Sequence, residues 1–155
     1  MIGPVSRGAG WVWGQFALIG LIAVLCLVPP RWPSATWPWL WLAGFALVVV
    51  GIAGGVWAAR TLGRSLTVFP RPLDSAELVV RGPYRLVRHP VYAAGLLLFF
   101  GLSLCRGPLV LAATACLAVV WALKARVEER HLADRYPDYA AYAERVRYRL
   151  LPLVY

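Results

Sequence analysis

The chain has 155 residues, is 61% hydrophobic and has a positive mean hydropathy, with 16 Lys and Arg against 7 Asp and Glu. A soluble domain is nearer half apolar; here the excess sits in long runs, so residues 1–155 read as a single integral membrane domain with no room for a second. The net charge of +9, without any recognition motif, points to cytoplasmic loops and anionic headgroups and excludes nucleic acid as a partner.

The first apolar run spans residues 11–28 and closes at Pro29-Pro30. Arg7 precedes it, but Cys26-Leu27-Val28 lacks the small residues of a signal cleavage site, so the run reads as a retained span. Trp32, Trp37, Trp39 and Trp41 cluster in and after the Pro-rich connection, as in an aromatic belt. The second span, residues 37–58, carries Gly44, Gly51, Gly54 and Gly55. Gly51 and Gly55 have the spacing that lets helices approach closely, within the bundle or between chains.

Residues 59–89 form a long polar connection with six Arg. It holds a Pro-flanked piece, Phe69-Pro70-Arg71-Pro72, and a short extended candidate, Leu78-Val79-Val80. Its apolar and aromatic content argues that it is ordered. The third span covers residues 90–105 and the fourth residues 109–123, joined by the tight break Arg106-Gly107-Pro108. Both are short for a hydrocarbon core of roughly 30 Å, so tilt or local thinning is expected.

The helical pattern continues through polar residues from Lys124, the only lysine, to Tyr136, and Pro137 ends it. After Asp138, Tyr139, Tyr142, Val146 and Leu150 share one face, with Glu144, Arg145, Arg147 and Arg149 on the others. That pattern predicts an amphipathic helix lying on the membrane surface. Cys26, Cys105 and Cys116 all fall in apolar runs without CxxC spacing and read as buried small hydrophobes.

The expected fold is therefore all-α, with four transmembrane helices, a helix 3–4 hairpin and a cytoplasmic C-terminal amphipathic helix. Four spans put fourteen of the sixteen basic residues on one side, leaving only Arg31 and Arg106 opposite. The positive-inside rule then places both termini and the long connection in the cytoplasm, in the inner membrane of a bacterium.

The stretch from Arg81 to Tyr92 is where a basic, aromatic loop runs into an apolar helix. Pro90 suits the first turn of that helix, and a helix start offers free N–H groups and partial positive charge to an anion. The hairpin returns the chain antiparallel, leaving Glu128 and Glu129 roughly 6–9 Å beyond the level of His89. Tandem carboxylates thus face an Arg-, His- and Tyr-rich segment, a setting for a ligand that carries both charges. Two other readings stay open. Glu128 and Glu129 can pair with Arg85 and Arg88 simply to hold the loop down, and Glu128-x-x-His131 with His89 has a ligand spacing. A second such motif is missing, so no metal is expected.

Gly82-Pro83-Tyr84-Arg85-Leu86-Val87-Arg88-His89-Pro90-Val91-Tyr92 resembles the GPYRxxRHPxY signature of the isoprenylcysteine carboxyl methyltransferase family. Glu128-Glu129, Leu132, Tyr136-Pro137, Tyr139, Tyr142 and Val146 are similar to its C-terminal pattern. The wider superfamily includes phospholipid N-methyltransferases and small-thiol methyltransferases. The resemblance implies an S-adenosylmethionine-dependent methyltransferase, with a cofactor region over residues 78–92 and 124–152. By position, the cofactor residues are Val80, Gly82, Tyr84, Arg88, His89, Tyr92, Glu128 and Glu129. Two departures stand out: Ala94 replaces a family glycine, with Gly95 next, and Val146-Arg147-Tyr148 replaces a VPR.

S-adenosylmethionine carries an ammonium, a carboxylate and a sulfonium. A Glu of the pair suits the first; Arg88, His89 or the helix start suits the second; aromatic faces tolerate the third. Methyl transfer needs mostly positioning and exclusion of water. A carboxylate acceptor needs an anchor, Arg145 or Arg85, whereas an amine or thiol needs proton removal by His89 or Tyr142. The expected partners are a lipophilic or lipid acceptor and the membrane lipids, with no obligate protein partner. The competing reading is a non-enzymatic membrane assembly or interaction module that kept the fold.

Overall fold

A computed structural model describes residues 8–29, 32–33 and 36–150. Arg7, Arg31 and residues 151–152 of the expected cofactor region lie outside the described residues. Five α-helices and two short 3-10 turns account for the regular structure among those described. They are α1 (Ala9–Leu25), α2 (Trp37–Leu62), α3 (Pro90–Arg106), α4 (Pro108–Arg135) and α5 (Tyr139–Arg145). The turns are Gly63–Ser65 and Gly82–Arg85. Leu78-Val79-Val80, the extended candidate, joins no strand ladder among the described residues.

Each apolar run has become one helix. Two helices are long and apolar enough to cross a membrane, and α1 and α3 are shorter apolar helices of 17 residues. Trp13, Phe16, Trp39, Phe45, Val50 and Trp57 stand exposed along α1 and α2. A large outward apolar surface of this kind suits contact with lipid chains, in keeping with a membrane protein.

Packing follows the order α2, α3, α4, α1. The α3–α4 reversal turns on Gly107, whose φ of 135° is a conformation that side chains rarely adopt. Ser103 and Thr114 hydrogen-bond across the hairpin at 3.0 Å, where a hydroxyl in an apolar surround needs a partner. Ile22 of α1 packs into Val110, Ala113, Leu117 and Trp121 of α4.

The α2–α3 contact is backbone to backbone. A Cβ on Gly51 would lie 2.6 Å from the Leu98 nitrogen and 2.8 Å from the Ala94 carbonyl oxygen, so Gly51 packs within the bundle. The family departure at Ala94 makes sense here. Ala94 is buried towards the small residues of α2, while Gly95 beside it leaves room for Trp121. Gly51→Leu gains about 1 kcal/mol of helix propensity and forces the helices apart, an overpacking cost of roughly 1–3 kcal/mol. The expected net result is a lower melting temperature in detergent. An unchanged one would show that the helices part freely.

The C-terminal helix corrects the sequence reading. It is seven residues long, and the chain leaves helical geometry at Val146. Tyr139, Tyr142, Val146 and Leu150 do share a face, but that face is buried against the protein rather than laid on a membrane. Tyr139, Tyr142 and Val146 form a second small core with Leu78, Leu132 and Tyr136 at the polar end of α4. The reason is local: the Arg88 and His89 amides donate to the Tyr148 and Arg149 carbonyls at 3.0 and 2.9 Å. Non-helical backbone at 148–149 satisfies two groups that a continued helix would leave bare.

Candidate functional site

The long connection is held in place by its own backbone. Ser65 Oγ accepts from the Glu77 amide at 3.0 Å and donates to the Glu77 carbonyl at 3.3 Å. Tyr136 Oη donates to the Ala76 carbonyl at 2.6 Å, and Arg135 donates to the Asp74 carbonyl. These bonds lay residues 65–79 over the polar end of α3 and α4. Between them is an open-mouthed cavity of about 140 Å³.

One wall of the cavity is Arg88, His89, Val91 and Tyr92, where the loop enters α3. Opposite are Glu128 and Leu132 of α4 and the aromatic group Tyr136, Tyr139 and Tyr142. The roof includes Leu66, Phe69, Leu78 and Val79. Opposite charges therefore meet in a largely apolar and aromatic chamber beside a helix start.

The two glutamates have different surroundings. Glu129 accepts from Arg88 Nε at 2.8 Å, His89 Nε2 at 3.2 Å and Arg149 Nη2 at 2.7 Å. It does not line the cavity. Glu128 does; it accepts from Tyr92 Oη at 2.6 Å and has His89 Nδ1 at 3.5 Å. Arg88 also donates through Nη1 to the Ala143 and Val146 carbonyls, both at 3.2 Å.

These contacts set the protonation states. Burial opposes charge on His89, but the hydrogen bonds and charges of Glu128 and Glu129 outweigh it and hold its pKa above the usual 6.5. Glu129 lies in the polar turns of α4 beyond Leu123. Burial alone would raise its carboxyl, yet His89, Arg149 and Arg88 bring it down to about 2. A histidine held above its unfolded value adds stability that is complete below about pH 6.5 and lost as pH rises through the raised value. The melting temperature of the wild type should therefore fall as pH climbs from 6.5. His89→Gln should remove that part of the slope; equal slopes in the two proteins would dismiss the effect.

Of the residues carried over from the family pattern, Tyr84, Arg88, His89, Tyr92 and Glu128 line the cavity. Val80 is exposed and does not; Leu78 and Val79 take that place. Gly82, at a φ of 58°, packs against Thr61 outside the lining. Arg85 and Arg145 are exposed and also outside it. Tyr142 Oη donates to the Tyr84 carbonyl at 2.7 Å, and burial pushes its ionisation up to about 12 against the pull of Arg88. It keeps its proton at neutral pH, and both ring nitrogens of His89 already face carboxylates.

Sequence reasoning missed Arg149, and it missed the support behind Tyr92. Tyr92 stacks between His89 and Trp121, with ring centroids at 5.7 and 5.2 Å. Lys124 is buried, with Nζ donating to Gln15 Oε1 at 2.8 Å and the Val68 carbonyl at 2.7 Å, and lying 3.9 Å from Glu128. The signal was present: one lysine in the chain and one amide in the first apolar run, each in need of a partner. Among the described residues no group of three or more His, Cys, Asp or Glu is arranged to hold a metal ion.

The chain is similar to two bacterial proteins. It is 36% identical over 132 residues to the cobalt-zinc-cadmium resistance protein CzcN of Cupriavidus metallidurans, covering 81% of this chain and 56% of that one. It is 29% identical over 137 residues to the nickel-cobalt-cadmium resistance protein NccN of Alcaligenes xylosoxydans, covering 86% and 60% respectively. The chain thus spans less than two thirds of the length of either relative. The family model for phospholipid methyltransferase matches residues 39–139, a segment that takes in α2, α3, α4 and most of the cavity wall. On that match the chain belongs to the phospholipid methyltransferase family.

Proposed function

We propose that the chain catalyses S-adenosylmethionine-dependent methyl transfer to a lipophilic acceptor, at the cytoplasmic face of a bacterial inner membrane that it crosses four times with both termini inside. The observation that carries this is the pairing of Glu128 with Arg88 across one apolar, aromatic cavity. The donor set fits the cofactor. Glu128 offers a carboxylate to an ammonium, and Arg88 with the first-turn amides of α3 offers donors to a carboxylate. The faces of Tyr84 and Tyr92 suit a sulfonium. When bound, the cofactor supplies an electrophilic methyl group.

The protein's own part is then to position and to exclude water. Leu66, Phe69, Leu78 and Val79 cover the chamber, and a dry, prealigned site is what an in-line displacement requires. Arg145 and Arg85 stand away from the cavity, and among the described residues Arg88 is the arginine that lines it. The names of the two relatives add a setting: methylation of a membrane lipid or small lipophile that bears on tolerance of cobalt, nickel, zinc or cadmium.

Calorimetric titration of S-adenosylhomocysteine into detergent-purified protein tests the reading. Binding supports it. Absence of binding sinks it and favours a membrane module that kept the fold without the chemistry. Mass spectrometry of membrane extracts incubated with methyl-deuterated cofactor then identifies the acceptor.

A further inference from the structure

Trp121, Lys124 and Glu128 follow one another at spacings of three and four residues, so they share one face of α4. On that face a chain of contacts runs from α1 to the cavity. Gln15 of α1 is buried, and its Oε1 accepts from Trp121 Nε1 at 3.2 Å and from Lys124 Nζ at 2.8 Å. Trp121 stacks on Tyr92, with ring centroids 5.2 Å apart. Lys124 Nζ lies 5.4 Å from the centre of the Tyr92 ring and 3.9 Å from Glu128 Oε1, the oxygen that accepts from Tyr92 Oη at 2.6 Å. Tyr92 and Glu128 line the cavity; Gln15, Trp121 and Lys124 do not. The Lys124 side chain is 1% exposed, and packing does not call for an amine there. Methionine would fill much the same space with no polar group to satisfy, and a lysine is rarely buried to this degree unless it is paired.

We infer that Lys124 is a positioning residue for the cofactor site: its amino group, anchored on Gln15 of α1, holds the Glu128 carboxylate and the Tyr92 ring in the geometry that receives the ligand's ammonium. The inference rests on the cofactor reading above. A carboxylate binds best when it is already in place, because a flexible side chain ordered only on binding takes from the affinity. Lys124 acts from outside the ligand's space, through two residues that line it. Its bond to the Val68 carbonyl at 2.7 Å also ties the roof between Thr67 and Phe69, which both line the cavity. That bond serves any occupant alike, whereas the contact with Glu128 serves only one that carries an ammonium. α1 lies outside the residues 39–139 that the family model matches, so Gln15 makes the N-terminal helix a support of the site.

The test is the ratio of affinities for S-adenosylhomocysteine and for 5′-methylthioadenosine, which lacks the carboxylate and the ammonium, measured by calorimetry on the full chain in detergent. Effects on the roof cancel in that ratio. We expect Lys124→Met to lower it roughly 2- to 10-fold. In the Glu128→Gln background the same substitution should leave the ratio unchanged, because the two residues act through one contact. Gln15→Met keeps the amine and its roof bond; it should lower the ratio by less, and it carries the test if Lys124→Met yields no folded protein. An unchanged ratio, a raised one, or a fall just as large in the Glu128→Gln background would each overturn the assignment. If the wild type binds neither ligand, the cofactor reading itself fails and takes this inference with it.

Discussion

Replacing Glu129 by alanine should destabilise the protein by about 3–5 kcal/mol, the cost of leaving buried charges without their counter-charge. Arg88, His89 and Arg149 converge on this one carboxylate, and the side chains of all four groups are 8–15% exposed. Removing it leaves two guanidiniums facing one another beside His89 in a space largely closed to solvent. The loop, α4 and the 148–149 segment then lose their common tie. In thermal unfolding in detergent this corresponds to a fall of roughly 10 °C. A fall of only a degree or two would mean that the cluster is far wetter than its burial implies.

Glu128→Gln should behave in the opposite way, with a small effect on stability and a large one on binding. Glu128 faces the cavity, and its shortest contact is the Tyr92 hydroxyl, which an amide oxygen can accept from equally well, with His89 at 3.5 Å and Lys124 at 3.9 Å beyond it. A charge-assisted hydrogen bond to a ligand ammonium is worth about 1.5–3 kcal/mol, so affinity for S-adenosylhomocysteine should fall about 10- to 150-fold. Binding of 5′-methylthioadenosine should hardly change. If instead Glu129→Gln weakens binding while Glu128→Gln does not, the roles assigned to the two glutamates are reversed.

The four apolar helices and the hairpin were legible because they depend on local physics. Apolar runs become helices in lipid, where every backbone group must bond within its own segment, and Gly107-Pro108 can only be a reversal. The meeting of 81–92 with 128–129 followed from helix rise alone. The difference between the two glutamates did not. Neighbours on a helix point about 100° apart, and which direction meets the cavity depends on how α4 is rotated against α3. Arg85, Arg145 and Arg149 were indistinguishable by composition, being long charges near the same site; only Arg149 reaches a carboxylate, because backbone bonds hold its neighbourhood against His89. Periodicity showed that Tyr139, Tyr142 and Val146 share a face. It does not say what covers that face, and here the protein covers it rather than a membrane surface.

The bonds from Arg88 and His89 to residues 148 and 149 also bear on how the protein is made. Synthesis runs from the N-terminus, and earlier segments settle first. A chain extended only through α4 already carries its four apolar helices, both glutamates and the loop, yet Glu129 still lacks Arg149 and the amides of 88 and 89 lack their acceptors. The chamber is therefore completed only after α4 has been made. Its closure waits for the segment after α4 to leave the ribosome and meet residues already in place.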